Sequence, residues 1–247
     1  MTAITLDEVT KQYPQTDGTQ LEVLSHISFE TETHDFVSIL GPSGCGKSTL
    51  LNLIAGLDTP SGGGVIIGDT DRPTDVTFVF QEPRLLDWRT VRENLIFALK
   101  SKDVPKPEWE SRVQRYLSLV GLSEFGDEYP QSLSGGMKQR VAIARAMAIE
   151  PDVILMDEPF SSLDEITARE LRSDLIDIWQ QEEQTILFVT HNAQEAAYLS
   201  NRVLVLSDRP TTVVSDRSVP VERPRSPDDP DLLHLSEQLI SALHGGS

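Results

Sequence analysis

Alternating and continuous apolar stretches divide the chain into predicted strands. Residues 4–9 and 21–29 alternate apolar with polar positions, which predicts two strands joined by a turn near Asp17 and Gly18. The apolar runs at 36–40 and 76–80 are typical of strands buried on both faces. Further strands are predicted at 65–67, 153–156, 185–190 and 202–206.

Helical patterns occupy two stretches between these strands. Residues 47–57 have a helical composition, and residues 90–149 carry apolar positions on one helical stripe. The stripe begins with Val91, Leu95, Ala98 and Leu99. A strand, a loop and a helix that are followed by more buried strands indicate an α/β sheet. We therefore expect the inserted helical stretch, about residues 84–149, to form a separate lobe.

The composition changes after Ser215, where prolines stand among charged residues and indicate a linker. A short helix is then predicted at 231–244, because four leucines share one face there. These leucines are Leu232, Leu235, Leu239 and Leu243. The chain thus divides into a domain at 1–215 and an extension at 216–247. The final helix either covers an edge or packs on a partner, and a frayed tail is an equal alternative.

The segment after the first buried strand fits the phosphate-binding pattern G-x-x-x-x-G-K-[ST]. Its residues are Gly41, Pro42, Ser43, Gly44, Cys45, Gly46, Lys47 and Ser48. The glycines let backbone N–H groups approach phosphate oxygens, and the helix that follows adds its positive end. Lys47 supplies a charge to the β- and γ-phosphates, Ser48 offers its hydroxyl to Mg²⁺, and Thr49 can reach the α-phosphate. At Cys45 a small filling residue is favoured over a redox role, because no activating base is evident nearby.

A second apolar strand ends in two carboxylates, Asp157 and Glu158. Since a strand alternates its side chains, the two acids are expected to point different ways. Asp157 can then face the Mg²⁺ shell, and Glu158 can face the water in line with the γ-phosphate. Two buried acids without a ligand would be costly, which argues against a purely structural role.

Composition limits the other functions that the chain can have. It has 39 acidic and 21 basic residues, a formal charge of -18, so general binding of nucleic acid is not expected. The acidic excess is either an ordinary solvated face or an adaptation to a high-salt cytoplasm, and we favour the halophile interpretation. No run of 18 apolar residues and no secretory signal is found, so we expect a cytosolic protein that can dock on a membrane through a partner. The single cysteine, Cys45, excludes an internal disulfide.

A third motif points to a known family. Residues 133–140 read LSGGMKQR and resemble the signature motif of ABC ATPases, with Met137 where many members carry glutamine. The order and spacing of this motif, the loop at Gly41 and the strand before Asp157 match that family. The resemblance implies a P-loop NTPase with a RecA-like core, an antiparallel β subdomain and an inserted helical subdomain, which binds ATP and Mg²⁺ and hydrolyses ATP.

The signature also has a physical interpretation. A helix is expected to begin just after Gly136, so its N-terminus and the Ser134 hydroxyl form an anion site. The chain already has one phosphate site at Lys47, so a second one has a use only if it meets another molecule's nucleotide. The resemblance implies that arrangement: two subunits stack head to tail, and Ser134, Gly135 and Gly136 of one complete the ATP site of the other. A simple helix cap is the structural alternative.

Other residues match the family pattern one by one. Gln81 resembles the Q-loop glutamine, which contacts Mg²⁺ or water; Asp164 lies in a segment like the D-loop of the dimer interface. His191 resembles the switch histidine that touches the γ-phosphate. Tyr13 resembles the aromatic residue that stacks on adenine, with an ordinary turn tyrosine as the alternative.

Within the ABC family, residues 85–94 (LLDWRTVREN) resemble the ATPases of nitrate, sulfonate and taurine importers. This resemblance implies a second ATPase subunit, an integral membrane permease and, indirectly, an extracytoplasmic solute-binding protein, with the chain at the cytoplasmic face of the membrane. Trp88 with Leu85 and Leu86 would line the groove for the permease, and ordinary packing is the alternative. Asp87 and the pair Ser161-Ser162 depart from that group's common residues. A soluble ABC ATPase for iron–sulfur assembly or nucleic-acid maintenance is the second hypothesis.

Overall fold

Within residues 2–68, 74–182 and 184–245, which this computed structural model describes, the chain folds into nine strands and seven α-helices. The strands are β1 (Thr2–Pro14), β2 (Gln20–Glu32), β3 (Phe36–Leu40), β4 (Gly62–Ile67), β5 (Val76–Val79), β6 (Val153–Asp157), β7 (Thr185–Thr190), β8 (Arg202–Leu206) and β9 (Val213–Ser218). The helices are α1 (Lys47–Ile54), α2 (Val91–Ser101), α3 (Trp109–Leu119), α4 (Gly135–Met147), α5 (Glu165–Gln181), α6 (Ala193–Leu199) and α7 (Pro230–Gly245). Two units result: the first holds the described residues up to 75 and from 185 onward, and the second holds residues 76–184.

The first unit begins with a small antiparallel sheet in the order β2-β1-β4. The predicted turn is confirmed, since Gly18 has a φ of 84° and the Gln15 N–H donates to the Thr19 carbonyl over 2.8 Å. The hairpin strands are longer than the pattern indicates and reach Pro14 and Gln20. Strand β4 also starts earlier than predicted, because Gly62 and Gly64 already pair with β1.

A second sheet region of the first unit contains the buried strands in the order β7-β3-β8-β9. Strands β7, β3 and β8 are parallel, and every residue of β3 and β7 is buried, as continuous apolar runs predict. Leu40 lies opposite Thr190 in the register of β3 and β7. The segments that follow these two strands therefore begin at the same edge of the sheet.

The C-terminal extension belongs to the first unit. Strand β9 pairs with β8 and runs to Ser218, so the predicted domain boundary after residue 215 falls inside a strand. Helix α7 buries Leu232, Leu235 and Leu239 in an apolar cluster with α6 and β8. This packing agrees with a helix that covers an edge and not with a frayed tail. Residues 246 and 247 lie outside the described part of the chain.

Two arginines connect the proline-rich segment 219–229 to the end of α6 by hydrogen bonds. The guanidinium groups of Arg223 and Arg225 donate to carbonyl oxygens that have no partner within the helix. The distances are 2.5 Å to Leu199, and 3.2, 3.0 and 2.7 Å to Ala197, Tyr198 and Ser200. Burial lowers the pKa of Arg223 to about 10, which still leaves the group charged at neutral pH. The segment predicted as a linker is therefore a fixed part of the unit.

The second unit combines the parallel pair β5–β6 with helices α2 to α5. The continuous helical pattern at 90–149 is in fact three helices, because Pro105, Gly121 and Pro130 interrupt it. Helix α5 lies where no helix was predicted, although Ala168, Leu171 and Leu175 are buried at helical spacing. The unit is larger than the predicted lobe because β5, β6 and α5 group with the inserted helices.

Candidate functional site

The predicted phosphate loop connects β3 to α1 in the first unit. Helix α1 begins at Lys47, and Gly46 before it has a φ of 125°, which L-residues with side chains rarely adopt. A Cβ at Gly46 would also lie 2.8 Å from a methyl carbon of Val23, so glycine is required there. The first N–H groups of α1 receive no side-chain cap, which leaves the helix end suited to an anion.

Lys47 lies inside this loop. Its side chain is 5% exposed, and Nζ donates to the carbonyl oxygens of Gly41 over 2.8 Å and Pro42 over 2.9 Å. The ammonium group is thus fixed against the backbone at the beginning of the loop, in a segment whose pattern predicts phosphate binding. Ser48, which follows it, is exposed and can offer its hydroxyl to a ligand.

One further predicted residue, His191, lies next to the loop. The Gly41 N–H donates to the Thr190 carbonyl over 3.4 Å, so the exposed His191 starts at the same sheet edge as the loop. Asn192 then caps α6 by accepting from the N–H groups of Gln194 and Glu195. His191 is therefore fixed between a buried strand and a capped helix.

Cys45 is the loop residue with a chemically reactive side chain. It is 2% exposed, and burial raises the pKa of its thiol. A protonated, buried thiol is a poor nucleophile, which supports the interpretation as a filling residue.

In the second unit, Gln81 and the two carboxylates follow the parallel strands β5 and β6. The Gln81 side-chain N–H donates to the Ser161 hydroxyl over 2.9 Å, and this hydroxyl donates to the Glu158 carbonyl over 3.0 Å. A serine hydroxyl thus joins Gln81 to the backbone of Glu158. The pattern of the sequence did not show this contact, because the joined residues are far apart in the chain.

The direction of Glu158 has a different origin from the one predicted. Strand β6 ends at Asp157, and Glu158 has a φ of 43°, in the left-handed region that a residue with a side chain seldom occupies. A tight turn, and not strand alternation, therefore sets where the Glu158 carboxylate points. Both acids are half-buried, so the desolvation argument applies to them less strongly than predicted. Backbone strain of this kind is frequent at functional sites.

The signature segment forms the N-terminus of α4. This helix begins at Gly135, earlier than predicted, and Ser134 is its N-cap, accepting from the Met137 N–H over 3.3 Å. A Cβ at Gly136 would lie 2.4 Å from the Thr167 methyl group, so only glycine allows this approach to α5. Ser134 and Gly135 remain exposed.

Asp164 caps α5 beside the signature. Its carboxylate accepts from the Thr167 N–H over 3.0 Å and from the Thr167 hydroxyl over 2.8 Å, and these bonds lower the pKa of the carboxyl group. The predicted D-loop and the predicted signature therefore meet at the adjoining ends of α4 and α5. The predicted site residues fall into two groups, one in each unit.

A protein-family model described as ABC transporter matches residues 24–161, more than half of the chain. The chain belongs to the ABC transporter family. Its α/β fold with an antiparallel β subdomain and inserted helices is that of an ABC ATPase, as the signature and phosphate loop predict.

Curated relatives cover almost the whole chain. An uncharacterized ABC transporter ATP-binding protein of Methanocaldococcus jannaschii is 42% identical over 92% of this chain and 86% of its own length. The aliphatic sulfonates import ATP-binding protein SsuB of Bacillus cereus is 41% identical over 98% of this chain and 96% of its own.

Solved structures give the same result. A dimeric ATP-binding cassette in a post-hydrolysis state, bound to ADP and Pi, has a TM-score of 0.73 and 32% identity, and covers 89% of this chain and 100% of its own. A cbiO1 subunit from Clostridium perfringens, part of an ABC transporter complex, has a TM-score of 0.76 and 27% identity, with 88% and 89% coverage. The chain is an ATPase of the ABC family.

The predicted magnesium ligands are hard oxygen donors of the kind that Mg²⁺ takes. Ser48 offers a hydroxyl in the first unit, and Asp157 and Gln81 offer a carboxylate and an amide oxygen in the second. Among the described residues there is no group of three or more His, Cys, Asp or Glu side chains that could hold a metal by themselves. Mg²⁺ in nucleotide enzymes needs no such group, because phosphates and water complete its shell.

Ser161 is the functional candidate that the motif pattern did not assign. We expect Ser161→Ala to lower turnover about threefold to tenfold at saturating ATP, because it removes the hydroxyl that joins Gln81 to Glu158. Steady-state phosphate release measures the turnover. The Ser161→Thr variant, which keeps a hydroxyl, should turn over ATP at the wild-type rate.

Ser111→Ala is the matched control for this substitution. The Ser111 hydroxyl donates to the Glu108 carbonyl over 2.9 Å, the same three-residue spacing in the same unit, far along the chain from the motifs. Equal turnover in Ser161→Ala and in the wild-type chain would show that the contact does not position Gln81.

Proposed function

We propose that this chain is the energy-coupling subunit of an ABC importer, in which two copies hydrolyse ATP and drive solute through a membrane permease. The observation that carries the proposal is the 41% identity over 98% of the chain to the aliphatic sulfonates import ATP-binding protein of Bacillus cereus. A solute of the sulfonate, taurine or nitrate class follows from that similarity, and an extracytoplasmic binding protein would deliver it.

ATP binding is assigned to the first unit. The loop N–H groups and Lys47 hold the β- and γ-phosphates, Thr49 reaches the α-phosphate, and Tyr13 stacks on adenine. Support comes from the uncapped start of α1 and the position of the Lys47 ammonium group at the loop carbonyls. Mg²⁺, held by Ser48, Asp157 and Gln81, would supply charge neutralisation at the phosphates.

Hydrolysis is assigned to groups that follow the strand ends. Glu158 orients and deprotonates the attacking water, and His191 contacts the γ-phosphate. The turn at Glu158 and the Ser161 hydroxyl hold the base and Gln81 in a fixed relation. Most of the rate then comes from positioning and from charge stabilisation.

A second copy is assigned to complete each site. The exposed end of α4, with Ser134 and Gly135, would bind the γ-phosphate held by the partner's loop, and Asp164 would lie at the interface. Ile166 supports a protein contact on this side, because it is 76% exposed although it is a large apolar residue. The similar cassette bound to ADP and Pi is dimeric.

The permease surface is assigned to the loop before α2. Trp88 is 73% exposed, which rules out ordinary packing within the unit. The loop that carries it is rigid, because the buried Asn94 side chain bonds to the backbone of Leu86, Arg89 and Thr90. A fixed, exposed tryptophan is a typical binding anchor.

The test uses the tagged full-length chain in membranes that contain its permease. We expect the permease to co-purify and Trp88→Ala to lose both this association and solute uptake, while phosphate release by the isolated subunit is retained. Tyr129→Ala is the control, since Tyr129 is an aromatic residue of the same unit and is 51% exposed. Capture of a soluble scaffold in place of a permease, with no uptake of taurine, alkanesulfonate or nitrate, would favour the soluble ABC ATPase instead.

The location proposed for the chain is the cytoplasmic face of the membrane, held there by the permease. Across the described ranges, none of the helices has both the length and the apolar character needed to span a bilayer. Attachment is assigned to the surface at Trp88.

The acidic excess is proposed to be an adaptation to high salt. At a formal charge of -18, self-repulsion destabilises the folded chain in dilute buffer, and salt screens it. We expect the midpoint of thermal unfolding to rise by about 10 °C or more between 0.1 M and 2 M KCl. For a chain of this size, such a rise corresponds to a gain of about a few kcal/mol in the free energy of unfolding. A midpoint that stays constant or falls over this range would contradict the proposal.

A further inference from the structure

Three side chains of the first unit meet beside the start of the phosphate-binding helix. The Tyr13 hydroxyl donates to one carboxylate oxygen of Asp58 over 2.7 Å, and the Lys11 ammonium group donates to the other over 2.6 Å. Lys11 also donates to the Thr59 carbonyl over 2.7 Å. The carboxylate of Asp58 therefore bridges a cation and a phenol.

Burial and charge show that this arrangement is fixed. Lys11 is 8% exposed, although lysine is seldom buried without a partner. Hydrogen bonds from Lys11 and then Tyr13 lower the pKa of Asp58 to about 2, so the carboxylate keeps its charge at every working pH. Burial and the bond to Asp58 raise the pKa of Tyr13, so its phenol stays a donor.

The Tyr13 ring is held without being covered. The Lys11 ammonium group lies over the ring, 4.8 Å from its centroid, and the residue is 36% exposed. A planar ligand can therefore stack on the exposed part of the ring. The cation beside the ring and the bond at its hydroxyl restrict how the ring can turn.

The bridge is also attached to the helix that follows the phosphate loop. The Asp58 N–H donates to the Asn52 carbonyl of α1 over 3.3 Å. The Thr49 side chain, at the start of the same helix, lowers the pKa of Tyr13, although less than burial and Asp58 raise it. The ring and the phosphate loop are thus tied to one helix.

We infer that Lys11 and Asp58 are positioning residues that fix the Tyr13 ring for stacking on the base of a nucleoside triphosphate, at a set distance from the phosphate loop. This inference rests on the proposed role of Tyr13. Lys11 and Asp58 would thus act on base recognition through the orientation of the Tyr13 ring.

The test compares two probes, ATP and inorganic tripolyphosphate, each with magnesium, by titration calorimetry on the full chain. Asp58→Asn and Lys11→Met should weaken ATP binding about fivefold to tenfold, the usual worth of one hydrogen bond. Tripolyphosphate, which has no base, should bind within about twofold of the wild-type affinity, because the loop is unchanged. The turnover number at saturating ATP should also stay within about twofold.

Tyr13 variants show whether the effect passes through the ring. Tyr13→Ala should weaken ATP binding about tenfold or more, and Tyr13→Phe, which keeps the ring, only about threefold. In the Tyr13→Phe background, Asp58→Asn should cost less than it does alone, because the bond is already lost. Glu22→Gln is the matched control: it removes a charge on the same small sheet and should leave both affinities unchanged.

Three outcomes would overturn the inference. They are unchanged ATP affinity in Asp58→Asn, equal weakening of ATP and tripolyphosphate, and unchanged ATP affinity in Tyr13→Ala. Failure of the importer proposal would give a different result. No permease partner or no uptake would then be found, while the affinities for ATP and tripolyphosphate would still follow the expected pattern.

Discussion

Replacing Glu158 with glutamine should lower steady-state phosphate release about a hundredfold or more, and ATP should then hold two copies together. The loss follows because glutamine cannot accept a proton from the attacking water, and general bases contribute about 10²–10⁴ to rate. Binding should persist, because the loop and Lys47 are unchanged and glutamine has the size of glutamate. Phosphate release and size-exclusion chromatography with ATP and magnesium measure the two effects.

Glu124→Gln provides the matched control for that substitution. Glu124 is an exposed glutamate of the same unit, so its change removes the same charge away from the motifs. It should turn over ATP at the wild-type rate and form no trapped dimer. Normal phosphate release by Glu158→Gln would contradict the assignment of Glu158 as the base.

Ser134→Ala should lower turnover about 10²–10³-fold, the usual cost of losing one preorganised donor to a developing charge. The structure adds a second expected cost, because the Ser134 hydroxyl caps α4. Loss of a cap lowers the free energy of unfolding by about 1 kcal/mol. Turnover and thermal unfolding must therefore be measured on the same variant.

Thr90→Ala separates the two effects of the Ser134 substitution. Thr90 caps α2 by accepting from the Glu93 N–H, so this variant loses a cap of the same kind. It should lose a similar amount of stability and keep its turnover in the isolated subunit. If Ser134→Ala behaves like Thr90→Ala, with lower stability and full turnover, Ser134 is a helix cap only.

Local patterns predicted the parts of the site that depend on neighbouring residues. The loop around Lys47 could be predicted because its motif, the strand before it and the helix after it are contiguous in the chain. The strand before Asp157 could be predicted because a short continuous apolar run in an α/β protein is typical of a strand that is buried on both faces. Family resemblance, and not spacing, supplied the roles of Gln81 and His191.

Other parts could not be predicted, because they depend on contacts between distant segments or on a single backbone angle. The bond between Gln81 and Ser161 spans 80 positions of sequence, and no periodicity reports it. Glu158 has a φ of 43°, so a turn follows Asp157 where the pattern predicted a continuing strand. A glutamate in the sequence does not indicate such an angle. In the sequence, nothing distinguishes Lys11 and Asp58 from other charged residues. Only the fold shows that Lys11 is buried.

Shortening the chain at its C-terminus should disturb the segment that carries His191. Without Arg223 and Arg225, the last carbonyl groups of α6 would lose their donors, and without α7 the apolar side of that short helix would be open to water. Helix α6 begins two residues after His191. A variant trimmed for easier crystallisation would therefore put at risk the contact that we propose between His191 and the γ-phosphate.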